Sequence, residues 1–385
     1  MSSIIVPRLI AMDTSTIAGL ARDLHSPEQE QRLAGESFSA EFAARGWVPV
    51  VLLENVEEIL RHGDVATVHD RFRSLARFPL VAHVDSLGCP GSIGSIVDIL
   101  AREVRAFLRD RTSDAFAVVN AVRGEVFAYG DGTTVASRLR QNAEKARPLA
   151  QRSHTGEKFA SSLSHLDIMG TDGVKFGSLR DDTPIDCAMV DRYCAALRSH
   201  LNAELRSRGV EGVPDETFDA FAERFAGDRK KGLLEAIGPG GSCTGLELRE
   251  RLLQRQGIDP SQVNAGTTVR KLEIMACFNG RLACASHTLG LPRPVTMRDV
   301  PMDRCPSQII QNGVERWRRS ARRAQAGDLF DAHLSTLACY CGLTVVDKRT
   351  GHYLRQLREH DSLAARLMGR VVSLSKYTDL LSQSL

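Results

Sequence analysis

The chain has 385 residues, of which 43% are hydrophobic, and a formal net charge of +3 at pH 7. This length and apolar content allow one large core or two domains, which excludes wholesale disorder. The small net charge does not by itself indicate a nucleic-acid partner.

The apolar runs and the cysteines exclude several classes of protein. Residues 48–53 form one of the longest apolar runs, far shorter than the about 20 residues that a membrane-spanning helix needs. The N-terminus lacks a basic segment followed by an apolar one, so the sequence predicts no membrane partner and a cytoplasmic location. The nine cysteines include no CxxC pair, which argues against a zinc ribbon or a thioredoxin-like site.

The first 85 residues alternate between short apolar runs and helical periodicity. Residues 4–13 stay apolar up to an acidic residue and predict a buried strand. Pro49 suits the first turn of a helix, and an apolar stripe follows it, so a helix is predicted over 48–62. Further helices are predicted over 27–45 and 65–77, and a strand over 80–84.

The middle of the chain is less regular and mostly helical in pattern. Residues 115–129 are rich in valine and predict a strand or another buried segment. The Gly-rich and Ser-rich stretches 153–180 and 238–242 predict loops. Helices are predicted over 93–110, 133–147, 186–208, 215–225 and 245–256.

Regular alternation returns after Pro306. The sequence predicts a helix through Ile309 and Trp317, then a helix over 329–341 and a strand over 343–346. A C-terminal helical stretch follows. Strands that alternate with helices favour a parallel sheet.

The predicted fold class is therefore α/β with three segments. A parallel sheet is predicted from residues 1–85 and 306–385. A mostly helical insertion, 86–305, would split it.

Acidic residues stand at the edges of apolar stretches near both ends of the chain. Asp13 and Asp347 each follow a predicted strand, and ligands of parallel sheets collect beyond the carboxyl ends of strands. Glu54 and Glu58 are four residues apart and share a helix face, while Asp331 stands at the start of a predicted helix. Converging carboxylates repel one another unless a cation binds them. The pattern predicts an open magnesium site suited to phosphodiester hydrolysis.

Four segments carry a family resemblance. They are LIAMDTS at 9–15, EILRH at 58–62, GDLFDAHL at 327–334 and VVDKRT at 345–350. In their order and setting they resemble the PIN-domain nucleases. The resemblance covers about residues 4–85 and 306–358, and the long middle segment departs from compact members of that family. It implies a Rossmann-like, PIN-like domain that cuts RNA with Mg²⁺ or Mn²⁺.

The resemblance and the residue chemistry together give a set of candidate site residues. The catalytic and metal-binding positions are Asp13, Glu58, Asp331 and Asp347, with Glu54 fitting almost as well as Glu58. Hydroxyl and basic side chains beside them would orient carboxylates or hold substrate phosphate, and these are Thr14, Ser15, Arg319, Arg322, Lys348, Arg349 and Thr350.

The basic run 316–323 and His333, both near these residues, keep a second interpretation. Arg319 and Arg322 belong to the basic run 316–323, for which a solvated helix face is an equally good interpretation. His333 is predicted either near the mouth of the site or on a helix surface, with the surface slightly favoured.

The sequence thus predicts a Mg²⁺- or Mn²⁺-dependent endoribonuclease with RNA rather than DNA as its partner. The insertion would select the substrate or bind a partner, and a homo-oligomer or a regulatory protein partner stays open. A second interpretation makes Asp13 and Asp331 helix caps, Asp347 a turn residue and the glutamates a solvated face. The chain would then be a non-catalytic PIN-like module that binds RNA or protein.

Overall fold

A computed structural model of the protein describes residues 7–89, 91–164, 175, 182–208, 215–319 and 328–383. The chain divides into two compact units. Unit 1 comprises Met1–Glu157, Cys284–Pro294 and Val300–Leu385, and unit 2 comprises Lys158–Ala283 and Val295–Asp299.

Helices and strands alternate through much of the described chain. The strands are β1 (Arg8–Met12), β2 (Trp47–Val51), β3 (Val81–Val84), β4 (Phe127–Gly130), β5 (Pro184–Asp186), β6 (Ser242–Thr244), β7 (Leu343–Val346) and β8 (Arg370–Ser373). The helices are α1 (Thr14–Leu24), α2 (Gln29–Ala44), α3 (Leu53–Leu60), α4 (Val65–Ser74), α5 (Ile96–Arg109), α6 (Ala115–Val122), α7 (Gly132–Ser164), α8 (Cys187–Arg208), α9 (Asp215–Ile237), α10 (Gly245–Arg255), α11 (Val269–Thr288), α12 (Pro306–Arg319), α13 (Asp328–Ser335), α14 (Lys348–His360) and α15 (Ser362–Leu367).

Unit 1 is built on a six-stranded sheet with the order β4-β3-β2-β1-β7-β8. All neighbouring pairs are parallel except β3 and β4, which are antiparallel. The predicted α/β class is confirmed, and the sheet is mostly parallel, as in Rossmann-like folds. The sheet differs from the predicted parallel sheet at one edge, where β4 pairs with β3 in the antiparallel direction.

Three strands of the six-stranded sheet differ from the sequence predictions. The predicted helix over 48–62 is wrong at its start, because Trp47–Val51 is a strand and the helix begins only at Leu53. Pro49 lies inside that strand, opposite Ile10 of β1. Residues 115–129 divide into α6 and the start of β4, and β8 lies within the stretch predicted to be helical.

The sheet of unit 1 is buried on both faces. Successive residues of β1 point to opposite sides, so Ala11 packs into one apolar cluster while Ile10 and Met12 pack into the other. Val50 and Val51 of β2 divide in the same way. Burial on both sides explains why these strands are almost continuously apolar in sequence.

A fully buried carboxyl group links α5 to α12. Glu103 accepts hydrogen bonds from the backbone N–H of Ser307 and from its hydroxyl, both at 2.8 Å, and from the hydroxyl of Tyr340. Burial raises the pKa of Glu103 to about 7, against the opposing effect of these hydrogen bonds.

Glu103→Gln is expected to change how stability depends on pH. The pKa of Glu103 in the folded protein lies above its ordinary value of 4.5, so its stabilising contribution is complete below pH 4.5 and is lost as pH rises through about 7. Glutamine does not ionise, so the variant gains stability relative to wild type across this range. Urea unfolding at a series of pH values measures the effect. The expectation would be contradicted if the free energy of unfolding depended on pH in the same way for the two proteins.

Unit 2 is mostly helical. Helices α8, α9 and α10 pack with the short antiparallel pair β5 and β6 around an apolar cluster that includes Val190, Ile237 and Leu248. Helix α11, much of which lies in unit 2, was not among the predicted helices. Unit 2 also starts later than the predicted insertion, since β4 pairs with β3 and residues 86–157 belong to unit 1. Among the described residues, no helix is both long and apolar enough to cross a membrane.

Candidate functional site

Two aspartates follow the two adjacent strands at the centre of the sheet. Asp13 follows β1 and Asp347 follows β7, and the parallel pairing of Met12 with Val345 brings their positions to the same edge. The chain runs from β1 to β2 on one side, while β7 lies on the other. The aspartates therefore lie where the strand order reverses, which is where ligands of open α/β sheets bind.

Each of these aspartates also caps a helix. Oδ1 of Asp13 accepts hydrogen bonds from the backbone N–H groups of Ser15 and Thr16 at the start of α1. Oδ1 of Asp347 accepts one from the N–H of Thr350 at 2.6 Å, at the start of α14. The capping role considered from the sequence is therefore correct for Asp13, and it also holds for Asp347. It fixes both carboxylates beside the positive ends of two helices.

Helices α3 and α13 supply two further carboxylates. These helices pack against each other, and they carry Glu58 and Asp331. The predicted start of a helix at Asp331 is wrong, because α13 begins at Asp328 and Asp331 lies within it. Asp331 is therefore not the cap of α13.

The four carboxylates line one cavity of about 180 Å³. Its walls come from four segments of unit 1. The residues that line it are Asp13, Thr14, Ser15, Leu52, Glu54, Asn55, Glu58, Phe330, Asp331, Leu334 and Asp347.

The carboxylates of this cavity disfavour one another's ionised forms. The pKa of Asp331 is raised to about 8, chiefly by burial and then by the charges of Asp347, Asp13 and Glu58. Burial also raises the pKa of Asp13, with a smaller contribution from Asp347. The pKa of Glu58 is raised by burial and, less strongly, by Asp13.

Three hydroxyl groups oppose this repulsion. Ser15 hydrogen-bonds the carboxylate of Asp13 through its side chain, and Thr350 does so with Asp331. Thr14 does the same with Glu58, and each of these hydrogen bonds lowers the pKa of its carboxylate. Each of the three predicted hydroxyl residues thus interacts with a different carboxylate of the cavity.

Glu54 occupies a different part of the cavity wall from Glu58. One of its oxygens, Oε1, accepts a hydrogen bond from the N–H of Ile96 at 3.3 Å and lies 3.6 Å from Nδ1 of His333. Burial raises the pKa of Glu54 to about 7, and the neighbouring charges that add to this shift are Glu57 and Asp98. Glu58, in contrast, interacts with Asp13 and Asp331, so the geometry favours Glu58 as the helical member of the cluster.

Several residues near the cavity were not identified from the sequence. Asn55 lines it and donates from Nδ2 to the hydroxyl of Thr14 at 3.5 Å. Phe330 lines it as well, and its ring is 4.2 Å from the guanidinium carbon of Arg61. An Asx-type residue at a helix start was a signal for Asn55, whereas the contribution of Phe330 depends on how α13 packs against α3.

The predicted basic residues have different outcomes. Lys348 is exposed and Arg349 is half-buried in the first turn of α14, beside Asp347. Arg319 is the last residue of α12, and its side chain lies outside the described part of the structure. Arg322 also lies outside the described residues.

The chemistry of the cavity fits a hydrated divalent cation. Carboxylate oxygens are the ligands that Mg²⁺ prefers, and a cation would relieve the repulsion that raises the pKa of Asp331. Within the described residues, no group of three or more His, Cys, Asp or Glu side chains is arranged to hold one metal ion. Mg²⁺ usually keeps several waters and takes only one or two carboxylates directly.

Comparison of the chain with known proteins gave no match. Protein-family models, curated protein sequences and solved structures were searched, and none of them matched the chain.

Proposed function

We propose that the protein is a Mg²⁺- or Mn²⁺-dependent nuclease that hydrolyses phosphodiester bonds, with RNA as its substrate. One observation carries the proposal: Asp13 and Asp347 follow two strands, Glu58 and Asp331 lie on two helices, and all four line one cavity where the strand order reverses. Bringing four carboxylates together in a partly buried cavity costs free energy through desolvation and repulsion. A divalent cation that assists phosphodiester hydrolysis would offset this cost, since it neutralises the carboxylates that bind it.

The residues of the cavity have separate tasks in this proposal. A bound divalent cation activates water and neutralises charge on the reacting phosphate. Asp13 and Asp347 are held in place by the N–H groups of their helices, so they present fixed oxygens to the cavity. Asp331 holds a proton near neutral pH while the cavity contains no cation, because its pKa is about 8. Thr350 and Thr14 orient Asp331 and Glu58 through their hydroxyls.

Cleavage of end-labelled substrates tests the proposal directly. Single-stranded RNA, tRNA and single-stranded DNA are incubated with the protein and Mg²⁺ or Mn²⁺, with parallel reactions in EDTA. We expect cutting of RNA that depends on the metal. Cutting that persists in EDTA, or the absence of cutting with every substrate and metal, would contradict the proposal.

A non-catalytic module that binds RNA or protein is the second candidate. The observation that favours it is that Asp13 and Asp347 both cap helices, a structural role that accounts for two of the four carboxylates without a cation. The two candidates differ in their response to cations, since a ligand that binds only the native state raises its stability. A melting temperature that Mg²⁺ and Mn²⁺ leave unchanged, together with no cleavage, would favour the module.

A further inference from the structure

A second cavity of unit 1, of about 590 Å³, lies between α1 and α4. We call it the α1–α4 groove and define it by Arg22, His25, Thr67, Asp70 and Arg71, which line it. Helices α1 and α4 pack against each other, and residues of both helices line the groove. None of these five residues was among the site residues predicted from the sequence.

The groove presents more positive than negative charge. Among the described residues that line it, Asp70 is the one carboxylate, and it is paired with Arg73 at 2.8 Å, which offsets its charge. His25 Nε2 is shielded from solvent and lies 3.9 Å from Asp70 Oδ1, and it has no hydrogen-bond partner in the described structure. Arg22 and Arg71 therefore offer guanidinium N–H donors to an anion in the groove.

Two features place the groove near the acidic cavity, which is a separate cavity with other lining residues. Helix α1 begins at Thr14 in the acidic cavity, and Arg22 lies two turns further on, ~12 Å along the helix at 1.5 Å per residue. Arg71 and Glu58 interact electrostatically: burial raises the pKa of Glu58, and the charge of Arg71 is among the groups that lower it. Arg71 thus lines the groove and also interacts with a carboxylate of the acidic cavity.

We propose that the α1–α4 groove binds phosphates of a single nucleic-acid strand on one side of the bond held in the acidic cavity. The assignment rests on the proposed nuclease function for the position of the cut, but strand binding in the groove does not depend on cleavage. Clustered carboxylates repel a phosphate backbone, so a strand needs cations close by.

Fluorescence anisotropy with labelled single-stranded RNA tests the groove. The parent protein is Asp13→Asn, so that Mn²⁺ is present without cutting, and it is compared with Asp13→Asn carrying Arg22→Gln and Arg71→Gln. The matched control carries Arg109→Gln and Arg111→Gln, two exposed arginines at the end of α5 and just after it. A long oligonucleotide and a dinucleotide are measured over a series of salt concentrations.

We expect the groove variant to bind the long strand roughly tenfold more weakly for each arginine replaced. The slope of the logarithm of its binding constant against the logarithm of the salt concentration should be smaller in magnitude by about 0.7 for each phosphate that the protein no longer neutralises. The control should match the parent. The dinucleotide, which is too short to reach from the cavity to Arg22, should show a smaller difference. Equal binding of the long strand by the groove variant and the control, or no binding by the parent, would overturn the proposal.

Two further results keep the test decisive. If the double substitution lowers the melting temperature, Arg22→Gln alone replaces it, because Arg22 is exposed and its replacement removes about half of the expected effect. If the wild-type protein cuts no substrate but the groove variant still binds the strand more weakly than the control, the nuclease proposal fails and the groove assignment stands. Cleavage by wild type with unchanged strand binding in the groove variant overturns only the groove.

Discussion

Asp13→Asn and Asp347→Asn are expected to abolish cleavage without weakening the fold. Each variant loses a carboxylate of the proposed site, and we expect a rate loss of roughly a hundredfold to a thousandfold, the size seen when one preorganised electrostatic contact to the transition state is removed. Asparagine caps helices about as well as aspartate, so α1 and α14 keep their N-terminal hydrogen bonds. Removing one charge from a buried cluster also relieves repulsion. The melting temperature should therefore equal or exceed that of wild type.

Cleavage rates and thermal melts of the two variants check this expectation. Asp303→Asn is the charge-matched control, since Asp303 is exposed and lies outside the cavity lining. It should cut RNA at the wild-type rate. Unfolded Asp13→Asn and Asp347→Asn proteins would instead assign a structural role to these residues, and full activity in either variant would remove it from the site.

Stabilisation by Mg²⁺ or Mn²⁺ is expected to increase with pH. In the cation-free protein the contribution of Asp331 to stability is complete below its ordinary pKa of 3.8 and is lost as pH rises through about 8. A cation that binds this carboxylate displaces its proton, so the apparent affinity rises over the same range. At a hundredfold excess over the dissociation constant, bound cation adds about 2.7 kcal/mol.

Melting temperatures with and without the cation, measured below and above pH 8, give the size of this effect. Asp331→Asn has no proton to displace at this position, so its gain from the cation should be smaller and depend less on pH. A gain that is largest at low pH, or that is the same in wild type and Asp331→Asn, would contradict the assignment of Asp331.

The strands that carry the candidate site were the easiest to predict. β1 and β7 are buried on both faces, so they are short apolar runs that end in Asp13 and Asp347. β2 was missed because Pro49 suits the first turn of a helix, although Val48, Val50 and Val51 are typical of strands. The packing of β2 between β1 and β3 outweighs that local signal.

The composition of the cavity could be predicted only in part. Glu54 and Glu58 lie four residues apart on one face of α3, so periodicity does not distinguish them. The start of α5 distinguishes the two glutamates, because the N–H of Ile96 donates a hydrogen bond to Glu54. Glu58 interacts with Asp13 and Asp331 instead. This contact joins elements that are far apart in sequence. The α1–α4 groove has the same origin, since it exists only where two helices pack.

The measurement that tests the central claim most directly compares two adjacent glutamates of α3. Glu58 lines the acidic cavity, while Glu57 lines a separate, mostly apolar cavity on another face of the helix. RNA cleavage with Mn²⁺ is measured for Glu58→Gln and Glu57→Gln, which make the same change of charge one residue apart. If the acidic cavity is the active site, Glu58→Gln loses most of its activity and Glu57→Gln retains it. Equal rates for the two variants would contradict the account.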